Sequence, residues 1–181
     1  DWGDGTVETI TTYNGFSHQY DDIGEHTISI TGTFPNIRIN NGAEKTKIKK
    51  VLNLGTVGWS SFDTAFYGCS NLTQFTAGST DTSSVSTIYG MFSGCSGLTS
   101  ADVSFDTSSS SDMAYMFQNC TALTSLDVST FNTSSVTIMQ GMFWNCPALT
   151  SIVGVEDWDI TGLNSTNDLT NFLTSGKMTT A

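Results

Sequence analysis

The sequence predicts an α+β solenoid of about four to five units of 25–26 residues, preceded by a small antiparallel β element. The solenoid rests first on a recurring stretch. GMFWNCPALTSI at 141–152 appears upstream as YMFQNCTALTSL at 115–126 and GMFSGCSGLTSA at 90–101, with a weaker copy, AFYGCSNLTQF, at 65–75. It rests second on the four cysteines, Cys69, Cys95, Cys120 and Cys146, which fall one per copy. A fixed period of this length belongs to units that bury their apolar faces only against their neighbours. The β element rests on residues 27–31, where Ile28 and Ile30 alternate with Thr27, Ser29 and Thr31.

Composition bounds the function. A chain of 181 residues suits one domain with a small companion. Eleven Phe and four Trp supply a folded core, and with 13% charged residues the polar surface is mostly Ser, Thr, Asn and Gly. A net charge of −11 with six Lys and Arg excludes nucleic-acid binding by counterion release. It serves solubility, or the capture of cations and basic partners. No apolar run is long enough to span a bilayer, so no membrane insertion by this segment is expected.

Residues 1–34 form the first expected unit. DWGDGTVETITTY reads as a tight turn feeding an alternating strand marked by Val7, Ile10 and Tyr13, with a loop at Asn14-Gly15. The motif opens abruptly at Asp1, so the sequence is expected to be a portion of a longer chain. DWGDGT, then His18-Gln19-Tyr20 and Gly24-Glu25-His26-Thr27-Ile28-Ser29-Ile30, resembles the second half of a polycystic-kidney-disease (PKD) type domain. That resemblance implies an incomplete immunoglobulin-like, usually extracellular β unit, with His26 where the family prefers an aromatic. Asp1, Asp4, Asp21 and Asp22 admit two readings, a calcium site or turn caps with a solvated hairpin end. His18 and His26 lack the Cys partners and spacing of a zinc site.

Residues 35–58 form a junction. Pro35 ends the strand, and Arg38, Lys45, Lys47, Lys49 and Lys50 are all but one of the basic residues, Lys177 being the other. VLNLG at 51–55 reads as a first strand with Val51, Leu52 and Leu54 partly buried. Trp59, Phe62 and Phe66 follow at helical spacing.

Residues 59–181 are the repeat array. Val136, Met139, Met142 and Phe143 have helix-like spacing and Cys146 follows. Leu123, Leu126 and Val128 form an L-x-x-L-x-V strand with Phe131 at the corner, matched by Leu98, Ala101, Val103 and Phe105. Each buried Phe contributes roughly 1.5–3 kcal/mol. The cysteines read as a ladder of buried thiols, with disulfide pairs or a metal site as alternatives; no CxxC supports zinc. Phe172, Ser175 and Met178 repeat the Phe, Cys, Leu spacing, with Trp158 in the place of Phe131, as a capping repeat.

MFQNCTALTSLDVSTFNTSSVTIMQGMFWNC is very similar to the BspA-like leucine-rich repeats of bacterial surface proteins, mycoplasma surface lipoproteins and some phage-encoded proteins. The resemblance covers residues 59–179. It departs at Thr80, where an aromatic is expected, and at Ser110 and Ser111. It implies a leucine-rich-repeat solenoid with a non-catalytic role in adhesion or recognition at a cell or virion surface.

The residues between the apolar strand positions point away from the core. They make the candidate ligand face: Thr73, Gln74 and Thr76; Thr99, Ser100 and Asp102; Thr124, Ser125 and Asp127; Thr150 and Ser151. The partner expected there is a glycan or a protein. The alternative is self-assembly with identical subunits in a fibre, sheath or virion, through the incomplete β unit. No enzyme and no cofactor is expected, calcium aside. The two histidines lie far in sequence from the repeat cysteines, and Glu156 and Asp157 sit in an ordinary acidic loop. Asn71, Asn119, Asn132 and Asn164 match glycosylation sequons.

Overall fold

A computed structural model describes residues 1–10, 18–163 and 171–174. Tyr13, Asn14, Gly15, Asn164, Ser175, Lys177 and Met178 lie outside the described residues. The described strands are β1 (Lys50–Val51), β2 (Gln74–Thr76), β3 (Ser100–Asp102), β4 (Ser125–Asp127), β5 (Phe143–Trp144), β6 (Ser151–Val153) and β7 (Leu173–Thr174). They form three small sheets, β1-β2-β3, β4-β6 and β5-β7. Every pairing is parallel, with register Lys50 to Gln74, Gln74 to Ser100, and Ser125 to Ser151.

The expected α+β solenoid is corrected here. Among the described residues there is no α-helix, and the helical segments are 3-10 turns at Ala43–Thr46 and Val155–Asp157. The fold is one of turns and loops joined by small parallel sheets. The physical reason lies in the bends that carry the MF motifs. Thr64, Gly90, Tyr115 and Gly141 occupy one position in successive copies and all have left-handed backbones, with φ of 52°, 56°, 58° and 60°. With Gly68, Gly94, Asn119 and Asn145 also left-handed four residues on, two such residues per bend prevent a right-handed helix from propagating. The bend amides then bond between copies. Phe66 N–H donates to Met91 C=O, Phe92 N–H to Met116 C=O, and Phe117 N–H to Met142 C=O, at 2.8–2.9 Å. The i, i+3, i+7 spacing of Trp59, Phe62 and Phe66 buries all three residues, but on a succession of turns.

The antiparallel element expected in residues 1–34 is also absent among the described residues. Asp1 and Ser29 exchange backbone hydrogen bonds, at 3.1 and 2.9 Å, without a strand forming. Ile28 and Ile30, expected to face a core, are 50% and 46% exposed, with no second layer over them among the described residues. The WGDG turn itself forms. Gly3 has φ 82°, and any Cβ there would meet Thr27 N at 2.9 Å.

The core consists of rows of equivalent side chains. Phe66, Phe92, Phe117 and Phe143 stack with centroids 5.3–5.8 Å apart and planes within 18°. A second row runs Phe105, Phe131 and Trp158 at 5.9–6.1 Å, and Phe62, from a different position in the first copy, meets Phe105 at 5.9 Å where Thr80 supplies no ring. Val51 is partly buried, Leu54 is buried, and Leu52 is exposed.

Candidate functional site

The strand segments place the candidate ligand residues as two groups. Thr73, Gln74 and Thr76 lie beside Thr99, Ser100 and Asp102, because β2 and β3 pair Gln74 with Ser100 and Thr76 with Asp102. Thr124 and Ser125 lie beside Thr150 and Ser151 through β4 and β6. Of the eleven, Thr76 and Ser151 are half-buried and the rest exposed. Their hydroxyls are not all open to a ligand. Thr73 Oγ1 donates to Lys49 C=O at 3.3 Å, Thr99 Oγ1 to Thr73 C=O at 3.1 Å, and Thr150 Oγ1 to Thr124 C=O at 3.2 Å. These threonines tie one copy to the next. The polar groups left facing outward centre on Gln74, Ser100, Asp102, Ser125 and Asp127.

β3 and β4 are neighbours, yet they belong to separate sheets. A cleft of about 230 Å³ opens there, lined by Ala101, Asp102, Val103, Ser104, Asp127, Ser129 and Thr130. Each carboxylate closes a small turn. Asp102 Oδ1 accepts the Ser104 amide at 3.1 Å and the Ser104 hydroxyl, and Asp127 Oδ1 accepts the Ser129 amide at 2.9 Å. The Ser129 hydroxyl and then its amide hold the Asp127 carboxyl below its ordinary range, which keeps it anionic. The cleft therefore offers carboxylate and hydroxyl groups fixed by local turns. Ser104, Ser129 and Thr130 did not figure in the sequence reading, although the repeated DVS at 102–104 and 127–129 carried the signal.

The other chemical candidates resolve differently. All four cysteines are free and buried. Cys95 Sγ donates to Phe66 C=O at 3.1 Å, Cys120 Sγ to Phe92 C=O at 3.2 Å, and Cys146 Sγ to Phe117 C=O at 3.0 Å. The disulfide alternative is thus excluded, and burial pushes the thiols of Cys69 and Cys146 up to about 12 and about 11. Burial likewise raises Cys95 and Cys120. Such thiols are poor nucleophiles and poor metal ligands.

At the N-terminus, Asp1 and Asp4 cap the turn amides of Gly3 and Thr6 at 2.9 Å. Asp4 Oδ2 also meets His18 Nε2 at 2.6 Å, and Asp22 Oδ1 meets His26 Nε2 at 2.7 Å. These carboxylates are engaged with protein partners, and among the described residues no group of three or more His, Cys, Asp or Glu is placed to hold a metal ion. Of the sequon asparagines, Asn71 donates its amide to Thr46 C=O at 2.7 Å, Asn119 accepts from Asn145 at 2.7 Å, and Asn132 accepts from Ser134. No helix among the described residues is long and apolar enough to cross a membrane.

No curated protein and no solved structure matches the chain significantly. A family model does match, over residues 60–179, and its description reads "Mycoplasma protein of unknown function, DUF285". The match is consistent with the BspA-like resemblance of the repeats and does not extend to the PKD-like stretch. With most of its length matched, including every copy of the cysteine-bearing bend, the chain belongs to the DUF285 family.

Proposed function

We propose that the chain is a non-catalytic recognition or adhesion module, exposed at a cell or virion surface, that binds a glycan or protein through its strand face. The observation that carries this reading is the cleft between β3 and β4. There the carboxylates of Asp102 and Asp127 stand beside Ser104, Ser129 and Thr130, at the ends of the strands that carry Ser100 and Ser125. Fixed acceptors beside hydroxyls suit a hydroxyl-rich or amide-rich ligand, and rigid turns lower the ordering cost of binding. The finer description, a BspA-like surface protein, rests on the resemblance of the repeats, with which the family match is consistent; extracellular exposure belongs to the proposal. The test is binding of the purified chain to an immobilised glycan and protein panel, with Asp102→Asn/Asp127→Asn as the control. Retention by the native chain and loss in the double variant is expected. Equal retention by both would remove the cleft from the reading.

Self-assembly in a fibre, sheath or virion is the second reading. It draws on β1, whose pairing among the described residues is to β2 on one side. Lys50 on that strand, with Lys49 beside it, is of the kind that discourages strand addition. Light scattering across protein concentration decides it. Growth into oligomers would favour assembly, and a constant monomer mass would leave recognition as the role.

A further inference from the structure

The cleft between β3 and β4 is a break in an otherwise regular ladder of ties. Thr73 donates N–H and Oγ1 to Lys49 C=O, Thr99 to Thr73 C=O, and Thr150 to Thr124 C=O, at 2.9–3.3 Å. Thr124 occupies the equivalent place in its copy, yet among the described residues it makes no such bond to Thr99. The cause is one residue of length. Leu98 and Phe105 are seven apart and Leu123 and Phe131 eight, because Thr130 has no counterpart after Ser104. Phe105 N–H therefore closes on Val103 C=O, two residues back, whereas Phe131 N–H reaches Val128 C=O, three back, at 2.8 and 3.0 Å. The chain leaves β3 early and the two strands part. The bends and polar turns on either side stay bonded, Phe92 N–H to Met116 C=O and Thr107 Oγ1 to Asn132 C=O.

A second pair of carboxylates shows what the break adds. Asp81 and Asp106 also lie on successive copies, and they accept the amides of Ser83 and Ser108 at 3.1 and 2.8 Å. Their turns are of the same kind as those of Asp102 and Asp127. There, however, Thr82 Oγ1 bonds Asp106 C=O at 2.9 Å and ties the copies together. Asp102 and Asp127 instead line an opening, with buried Val103 and half-buried Ala101 between them. No Lys or Arg lies between Lys50 and Lys177, so the repeats around the cleft supply no counter-charge. Two carboxylates fall short of the oxygen ligands that calcium takes, and a neutral ligand would leave both charges uncompensated. A lysine side chain answers the whole lining. Its methylene stem suits the apolar residues and its ammonium donates to both carboxylates.

We propose that the cleft takes a lysine side chain of a basic protein partner. This rests on the recognition reading above and narrows its ligand to a protein segment. The test is titration calorimetry of the whole chain with hexalysine, and with hexalysine acetylated on every side chain, at low and at physiological salt. Hexalysine should bind, more weakly as salt rises. Acetylation and Asp102→Asn/Asp127→Asn should each weaken it roughly tenfold. Asp81→Asn/Asp106→Asn removes the same charge elsewhere and should change the affinity by less than about twofold. Both double variants should keep their turns, since Asn132 accepts the Ser134 amide in the same way at 3.1 Å. Silence of hexalysine, undiminished binding of the acetylated peptide, or equal weakening by the two double variants would each overturn the proposal. A neutral glycan retained by the native chain and lost with Asp102→Asn/Asp127→Asn, beside silent hexalysine, would overturn the lysine assignment and uphold the recognition reading.

Discussion

Two buried threonines at equivalent places in the polar turn have different surroundings. Thr107 Oγ1 donates to Asn132 C=O at 3.0 Å and accepts the Asn132 amide at 2.8 Å. Thr133 Oγ1 is buried with no hydrogen-bond partner. Thr107→Val removes both hydrogen bonds to the Asn132 backbone, which is partly open to water, and is expected to destabilise by about 1 kcal/mol, whereas Thr133→Val removes an uncompensated hydroxyl and should be neutral or stabilising. Urea unfolding of the two variants reads the contrast. The cysteines give a second expectation at this scale. With raised pKa values and carbonyl partners, none should react with a thiol reagent near pH 8 in the native chain, and all four should react once it is unfolded. Early labelling of any one of them would contradict the buried ladder. The ladder was legible in the sequence because equal positions in successive copies share one environment. The use of Thr73, Thr99 and Thr150 as ties between copies was not, because spacing alone does not say which carbonyl lies within reach of a hydroxyl.

The same division holds for the elements. The L-x-x-L-x-V strands fell where alternation put them, at β3 and β4. The bends did not, because MF-containing segments bury residues at helical spacing while their amides reach the next copy. A left-handed Tyr115 is invisible to periodicity. Asn119 and Asn145, left-handed at φ 59° and 58°, were the better hint, since Asn tolerates that region. In the N-terminal turn, the hydrogen bond from His18 chiefly, and the Thr6 amide next, lower the Asp4 pKa from 3.8 to about 2. A lowered carboxylate pKa stabilises the fold above the unfolded value and loses that contribution as pH falls through the folded one. The turn should therefore hold above about pH 4 and loosen toward pH 2. Trp2 stacks on His18 at 4.9 Å, so fluorescence should follow the change, and Asp4→Asn should abolish this titration. A native titration that survives the substitution would place its origin elsewhere.

At the scale of the molecule, the rows of rings join the copies into one core. Phe92 meets Phe66, Phe75 and Phe117 at 5.8, 4.7 and 5.3 Å. Phe92→Ala should cost about 3–5 kcal/mol in chemical unfolding. A loss near 1 kcal/mol would mean that the copies repack independently. The bend bonds also have a direction. Ile39, Thr64, Gly90 and Tyr115 N–H groups all donate to a later copy, to Ala65, Tyr89, Ala114 and Gln140 C=O. The polar turns bond the other way, Ser60, Ser86, Ser111 and Thr137 N–H donating to Pro35, Ser60, Ser86 and Ser111 C=O of the earlier copy, so the peptide dipoles of bends and turns oppose each other. The basic side chains where the row begins answer carboxylates instead: Arg38 pairs with Asp63, Lys47 with Glu44 and Lys49 with Glu25. A cluster that looks anomalous in an acidic chain is thus mostly neutralised by its own neighbours.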